Sequence, residues 1–253
     1  MHRFFLPPDQ CQGPTLTLTG AEAHHALDVL RVRTGDRVAV LDGAGHEYLC
    51  EVIEAARQAV RLRTRQRQDL SPSPYRLTLF QAVTKHRSMD LIVQKATELG
   101  AGRIVPVLSE RSVIHLPRDE AARKQSKWLG VAVEALKQCG APWLPVIDTP
   151  VAPQVLLARG ERFDLMLLAS LQPGSRHPRE WFAAHEQDPG GRPREVAVWV
   201  GPEGDFTPAE LDAITRGGAL PITLGPLVLR SETAALYCLS VLSYELQRPC
   251  SAR

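Results

Sequence analysis

The hydrophobic period of this chain changes at Ser71-Pro72-Ser73-Pro74. Before that turn-rich stretch, apolar and polar residues alternate over short runs at 16–19, 37–41, 48–53 and 59–63. Alternation sets one side of each run against a core and the other in water, as in a half-buried strand. Turn residues, including Gly35-Asp36 and Asp42-Gly43-Ala44-Gly45, separate the runs. After the break, apolar runs at 77–83, 104–108, 163–169, 196–200 and 221–224 alternate with helical periods at 88–99, 120–138, 177–186, 207–216 and 231–246. That pattern predicts a parallel sheet covered on both faces. The chain therefore reads as α/β in two parts. Residues 1–72 make a small β-barrel with a short helix near 21–30, and residues 75–253 make a parallel-sheet domain.

A chain of 253 residues with 44% hydrophobic and 23% charged residues has the material for both cores. No apolar run reaches membrane-spanning length and the first residues are not a signal peptide, so a cytoplasmic protein is expected. Its five cysteines are scattered and never spaced Cys-x-x-Cys. Neither a disulfide framework nor a zinc site is expected, and His24-His25 point to different faces.

The formal net charge is only +2, but its distribution is uneven. Residues 57–67 carry Arg57, Arg61, Arg63, Arg65 and Arg67 with no acid. The last four alternate, so a regular strand shows them on one face. Residues 76–127 hold ten Lys and Arg against five Asp and Glu, whereas residues 128–253 hold eleven against fourteen. Positive charge gathered in the first half suits contact with phosphates, although a solvated strand face has the same composition.

Two loops carry the clearest sign of a ligand site. Val200-Gly201-Pro202-Glu203-Gly204 and Leu224-Gly225-Pro226-Leu227-Val228-Leu229 each follow an apolar run and lead into a helix. Thr207, Pro208 and Glu210 form a capping box with Pro at the first helical position, and Ser231 is the expected cap of the last helix. Gly-Pro turns let main chain approach a ligand, and parallel sheets bind ligands at the carboxyl ends of their strands. Ordinary loop chemistry also explains Gly-Pro, and neither loop is a Walker A or a dinucleotide fingerprint.

Several further motifs share an order with these loops: His2-Arg3-Phe4-Phe5; the run from His25 through Arg31 and Arg33 to Asp36; Lys85-His86-Arg87-Ser88-Met89-Asp90; Gln94 to Gly100; and Glu110-Arg111-Ser112. Together they resemble the RsmE family of ribosomal RNA methyltransferases, of the SPOUT superfamily, over nearly the whole chain. The resemblance implies a PUA-like RNA-binding barrel followed by an α/β domain with a trefoil knot. It implies N3-methylation of one uridine of 16S rRNA in the small ribosomal subunit, S-adenosylmethionine (SAM) as methyl donor, and a homodimer with the active site at the subunit interface. Lys137 and Ala141 depart from the family, which often has an acid and an arginine there.

Under that resemblance the donor-binding candidates are Leu168, Ala169, Val200, Gly201, Pro202, Glu203, Gly204, Leu224, Gly225, Leu227, Val228, Leu229, Thr233 and Ala234. The glycines are expected to admit the donor because they lack a Cβ. Glu203 either lies near the sulfonium or orders its loop by accepting backbone N–H bonds. Arg230 is the catalytic candidate, because a guanidinium stabilises the anion left when uridine N3 loses its proton. A helix-terminal ion pair with Glu203 or Glu232 is its structural alternative. Arg3, His25, Arg31, Arg33, Arg61, Arg63, Arg65, Arg67, Lys85 and Arg87 are the RNA-binding candidates. The competing functions are methylation of a ribose 2′-hydroxyl or another base, and RNA binding in ribosome assembly without catalysis.

Overall fold

The computed structural model describes residues 1–112, 118–186 and 191–247. They fall into two compact units. One is Met1–Pro72 with Val133–Leu144; the other is Ser73–Ala132 with Pro145–Arg253. The segment Val133–Leu144, which lies inside the second expected part, thus clusters with the N-terminal residues.

The first unit is built on a curled five-stranded sheet of β1 (His2–Phe5), β2 (Thr15–Thr19), β3 (Arg37–Leu41), β4 (His46–Ala56) and β5 (Ala59–Asp69). Spatial order is β1-β3-β4-β5-β2, with β1 parallel to β3 and the other pairs antiparallel. Leu16, Leu18, Val60 and Leu62 point into the core, while Thr15, Thr17, Arg61 and Arg63 alternate with them on the exposed side. Helix α1 (Gly20–His24) runs into a π-helical turn over His25–Val29. It ends at Arg31, whose φ of 54° is left-handed, and the Val32 N–H returns to the Ala26 carbonyl at 3.0 Å. Glycine is usual at such a helix end, and a side chain there costs roughly 1–2 kcal/mol.

The end of α3 (Arg118–Cys139) also belongs to this unit. Lys137, with 5% of its side chain exposed, meets Glu22 and Glu134 at 2.7 Å each. Burial lowers its pKa, but the bonds to the two carboxylates outweigh burial and hold it above the usual lysine value. The departure from the family at position 137 is therefore a buried ion pair. Nearby, the Trp143 ring lies over Gly45, where a Cβ would come within 2.3 Å of it.

The expected arginine stripe is broken. Pairing of β4 with β5 steps from Leu49↔Gln66 to Cys50↔Thr64, which leaves Arg65 as an extra residue. A bulge of one residue reverses the faces beyond it. Arg61 and Arg63 share one face, whereas Arg67, although also exposed, pairs with Tyr48, and its guanidinium lies 5.9 Å from that ring's centre.

The second unit holds a six-stranded, wholly parallel sheet in the order β11-β9-β10-β6-β7-β8. Its strands are β6 (Arg76–Ala82), β7 (Arg103–Val107), β8 (Val146–Ile147), β9 (Leu165–Ala169), β10 (Glu195–Val200) and β11 (Leu220–Ile222). The helices are α2 (His86–Glu98), α4 (Pro153–Ala158), α5 (Pro178–Glu186), α6 (Pro208–Arg216) and α7 (Ser231–Leu246), with the first part of α3. Helix α2 starts at His86 rather than Ser88, and β1, β8 and α4 have no counterpart among the expected elements. Phe80, Trp199, Phe206 and Leu168 pack with α4 and α6 in one core, and α7 lies against β6, β10 and α2. Strand β6 is central, with β7 and β8 to one side and β10, β9 and β11 to the other. The strand order therefore reverses between β10 and β6, and parallel sheets hold ligands at the carboxyl ends of strands near such a point.

Candidate functional site

The loops that leave β9, β10 and β11 enclose a cleft of about 440 Å³. Ala169, Val200, Gly201, Pro202, Glu203, Leu224, Gly225, Leu227, Val228, Leu229 and Ala234 line it. Leu168, Gly204 and Thr233 do not. Leu168 belongs to the sheet core, and Gly204 faces the Arg111 side chain. Asp205, Thr223 and Ser231 line the cleft without having been named as donor residues.

The loop after β10 is tied down on several sides. Thr207 caps α6 with the expected box: its Oγ1 accepts from the Glu210 N–H at 3.3 Å, and Glu210 Oε2 accepts from the Thr207 N–H at 2.9 Å. Glu210 is 1% exposed and reaches further. It accepts from Ser109 Oγ at 3.0 Å and from the Glu110 N–H at 2.9 Å, in the loop after β7. Four hydrogen bonds so satisfy one buried carboxylate and its capping partner. Arg111 Nη1 donates to the Gly204 carbonyl at 2.9 Å and to that of Phe206 at 3.5 Å. Asp205 has a φ of 60°, and its Oδ1 accepts from the Phe206 N–H at 2.8 Å.

Ser231 does not cap α7. The N-cap is Arg230, without a side-chain bond, and Ser231 is the first helical residue. Its hydroxyl donates instead to the Gly201 carbonyl at 2.7 Å and accepts from Gln81 Nε2 at 2.9 Å. Cap assignment from sequence assumes a local partner, whereas this hydroxyl is turned towards the neighbouring loop.

The three glycines of these loops sit in different surroundings. A Cβ on Gly201 would meet Asp205 Oδ1 at 3.1 Å and Phe206 Cδ2 at 3.3 Å, so the space it leaves is filled by its own loop. Gly225 has open space around it but a φ of +108°, so backbone conformation is what favours glycine. A Cβ on Gly204 would make only ordinary contact, at 3.7 Å.

The Glu203 and Arg230 side chains are exposed. No ion pair of Arg230 and no hydrogen bond of the Glu203 carboxylate occurs among the described residues. Asp205 and Glu210, not Glu203, accept the loop's backbone N–H bonds.

Most of the basic candidates in the first unit have partners. Arg61 meets Glu54 at 3.3 Å, Arg65 Nε meets Glu51 at 2.9 Å, and Arg67 meets Asp69 at 2.7 Å. The bonds from Arg65 hold the Glu51 carboxyl below its usual pKa. Arg63 is exposed and in no ion pair among the described residues. Arg3 donates to the Gln138 carbonyl at 3.3 Å and passes beside Gly140, while His25 sets its ring edge-on to Phe4. Arg31 and Arg33 are exposed, and the Arg33 N–H is held by Asp36 at 2.7 Å. In the second unit Lys85 and Arg87 are exposed at the start of α2. No cluster of metal-ligating side chains and no helix able to cross a membrane occurs among the described residues.

Known proteins share this arrangement. Residues 71–243 match the RNA methyltransferase domain family, and residues 18–64 match the RNA methyltransferase PUA domain. Ribosomal RNA small subunit methyltransferase E of Bacillus subtilis is 31% identical over 98% of both chains. The Aquifex aeolicus protein of that name is 30% identical over 96% of this chain and 99% of its own. A Legionella pneumophila methyltransferase in complex with SAM superposes with a TM-score of 0.85 at 30% identity, covering 96% of each chain. Ribosomal RNA small subunit methyltransferase E of Neisseria gonorrhoeae, bound to S-adenosyl methionine, gives 0.84 at 27% identity over 96% of each. With both domains matched in order and relatives aligned end to end, this chain belongs to the ribosomal RNA small subunit methyltransferase E family.

Proposed function

We propose that the protein transfers a methyl group from SAM to N3 of a uridine in 16S rRNA of the small ribosomal subunit. The observation that carries this reading is the cleft at the ends of β9, β10 and β11, in a chain of this methyltransferase family. Its volume lies within the range of small-molecule sites, and its lining combines aliphatic residues such as Val200, Leu227 and Val228 with Ser170, Thr223 and the carboxylates of Glu203 and Asp205. The mixed lining, with two carboxylates and several hydroxyls beside the aliphatic residues, suits a ligand with an apolar body, a flat base and a positive sulfonium. SAM supplies an electrophilic methyl group when bound. Loop carbonyls and N–H groups orient it, and the exposed Leu227 and Val228 stand ready to exclude water once covered.

Arg230 stands between the cleft residues Leu229 and Ser231, exposed and without an ion pair among the described residues. That leaves its guanidinium available to the anion that forms as uridine N3 loses its proton. The planar fork can span N3 and a carbonyl oxygen, which a lysine cannot. Arg31, Arg33 and Arg63 in the first unit, with Lys85 and Arg87 in the second, offer exposed cations for RNA phosphates. A homodimer formed through the second unit, a knotted chain path and a cytoplasmic location complete the reading. Leu227 and Val228, 73% and 78% exposed, are the apolar side chains a second copy would cover.

The test has two arms. Calorimetric titration should show one saturable SAM site per chain, which an assembly factor without catalysis lacks. Nucleoside mass spectrometry of small subunits treated with enzyme and SAM should show N3-methyluridine. A 2′-O-methylated nucleoside, or no new nucleoside, would overturn the assignment.

A further inference from the structure

Gln81, near the end of β6, is 0% exposed and lies outside the lining of the cleft. Its Nε2 donates to the Ala82 carbonyl and to Ser231 Oγ, both at 2.9 Å. Its Oε1 is buried without a partner among the described residues. A buried amide with one idle acceptor is costly, and an apolar side chain of similar volume fills such a site without that cost. The benefit therefore lies in its donor end. A serine hydroxyl has a single hydrogen. Because Gln81 donates to Ser231 Oγ, that hydrogen is left for the Gly201 carbonyl, which it meets at 2.7 Å.

We infer that Gln81 is a positioning residue for methyl transfer: acting through the Ser231 hydroxyl, it fixes the Gly201–Pro202 peptide of the cleft wall and the backbone that follows Arg230. One bond from Ser231 joins the loop after β10 to the start of α7, and Gln81 sets its direction. Pro202 has no N–H, so the Gly201 carbonyl is the only hydrogen-bonding group of that peptide. If it turns freely, the wall turns with it. This inference rests on the reading of the cleft as the SAM site.

The test is a double-mutant cycle read by SAM calorimetry, with kcat and the KM for SAM measured beside it. Wild type must bind SAM; if it does not, the reading of the cleft fails and the cycle is moot for that reason alone. Given wild-type binding, Gln81→Met should weaken SAM on the order of ten-fold, the usual scale for losing a buried hydrogen bond and stranding its partner. Ser231→Ala should do the same, and Ser231→Thr should restore most of the affinity. Gln81→Met placed in the Ser231→Ala background should add little, because its effect passes through the missing hydroxyl. Additive losses would mean that Gln81 only supports the core, and unchanged SAM affinity in Gln81→Met would overturn the inference outright. If Gln81→Met does not fold, Gln81→Glu carries the test. A carboxylate draws the Ser231 hydrogen to itself and frees the Gly201 carbonyl, so SAM affinity should fall although Ser231 is intact. Wild-type affinity in Gln81→Glu would also overturn it.

Discussion

The loops after β10 and β11 face the same cleft but are held in different ways. The first is bound to the loop after β7 by Arg111 and Glu210, to α6 by the Thr207 box, and to α7 by Ser231. The second is held at its start by the Thr223 N–H on the Arg176 carbonyl at 2.9 Å and by Thr223 Oγ1 with the Gly225 N–H at 3.2 Å, and at its end by Ser231; between these it runs through exposed Leu227 and Val228. One wall is formed in advance. The other leaves Leu227 and Val228 uncovered, and side chains that are immobilised when a ligand or partner covers them cost binding energy. Specific recognition of the donor is then expected mainly from the first wall, and coupling to substrate from the second.

The largest effect expected of this contrast lies in the second wall. Arg230→Ala should lower single-turnover methylation by roughly 10²–10³-fold, the range for removing one charge-stabilising donor, while SAM affinity stays near wild type. Higher pH should recover part of the rate, since more uridine then ionises unaided. Equal rates for variant and wild type at every pH would reduce Arg230 to a structural role. In the first wall, Glu210→Ala should cost about 3 kcal/mol of stability, because it strands buried donors at Ser109 and Glu110 and opens the capping box. Denaturant unfolding should report it as a lower midpoint, with weaker SAM binding under native conditions. Smaller still, Gly225→Ala should cost about 1 kcal/mol through its left-handed backbone, and Gly204→Ala should stay within about 0.5 kcal/mol. Thermal unfolding of the two variants side by side tests whether backbone conformation, rather than space, sets the need for glycine. The smallest effect carries the same question to β5. Arg63→Gln should reduce the salt dependence of RNA binding by up to one phosphate contact, a slope change of roughly 0.7–0.9. Arg67→Gln, tethered to Asp69 and Tyr48 in wild type, should change it less. Equal changes in both would mean that tethered and free arginines serve RNA alike.

Sequence carried the local features of this molecule well. Alternation along β2 and β5, the Thr207–Glu210 box and the loop positions at strand ends all follow from spacings of a few residues. Features that depend on distant partners were not legible. Ser231 looks like a cap because its neighbours permit one, but its hydroxyl answers to Gln81, 150 residues earlier. Arg61, Arg63, Arg65 and Arg67 alternate in sequence, yet the extra residue at Arg65 is a property of the pairing with β4. Strand β8 is two residues long and exists because it pairs with β7, so no periodicity announces it. The Glu110-Arg111-Ser112 motif stood out as a resemblance, while its work, clamping the loop after β10, needed the folded chain.

The buried contact between Lys137 and Glu22 has a consequence for how the protein is made. Synthesis runs from the amino terminus, so residues 1–72 emerge while Lys137 and Trp143 have yet to be joined to the chain. Until then Glu22 has no ammonium to meet, and the backbone of Gly45 lacks the indole that covers it. The N-terminal sheet is thus completed late, after the first strands of the other unit have been translated. A gene fragment that stops at residue 72 would express a sheet with an exposed seat, prone to proteolysis, which supplying residues 133–144 as a separate peptide should repair.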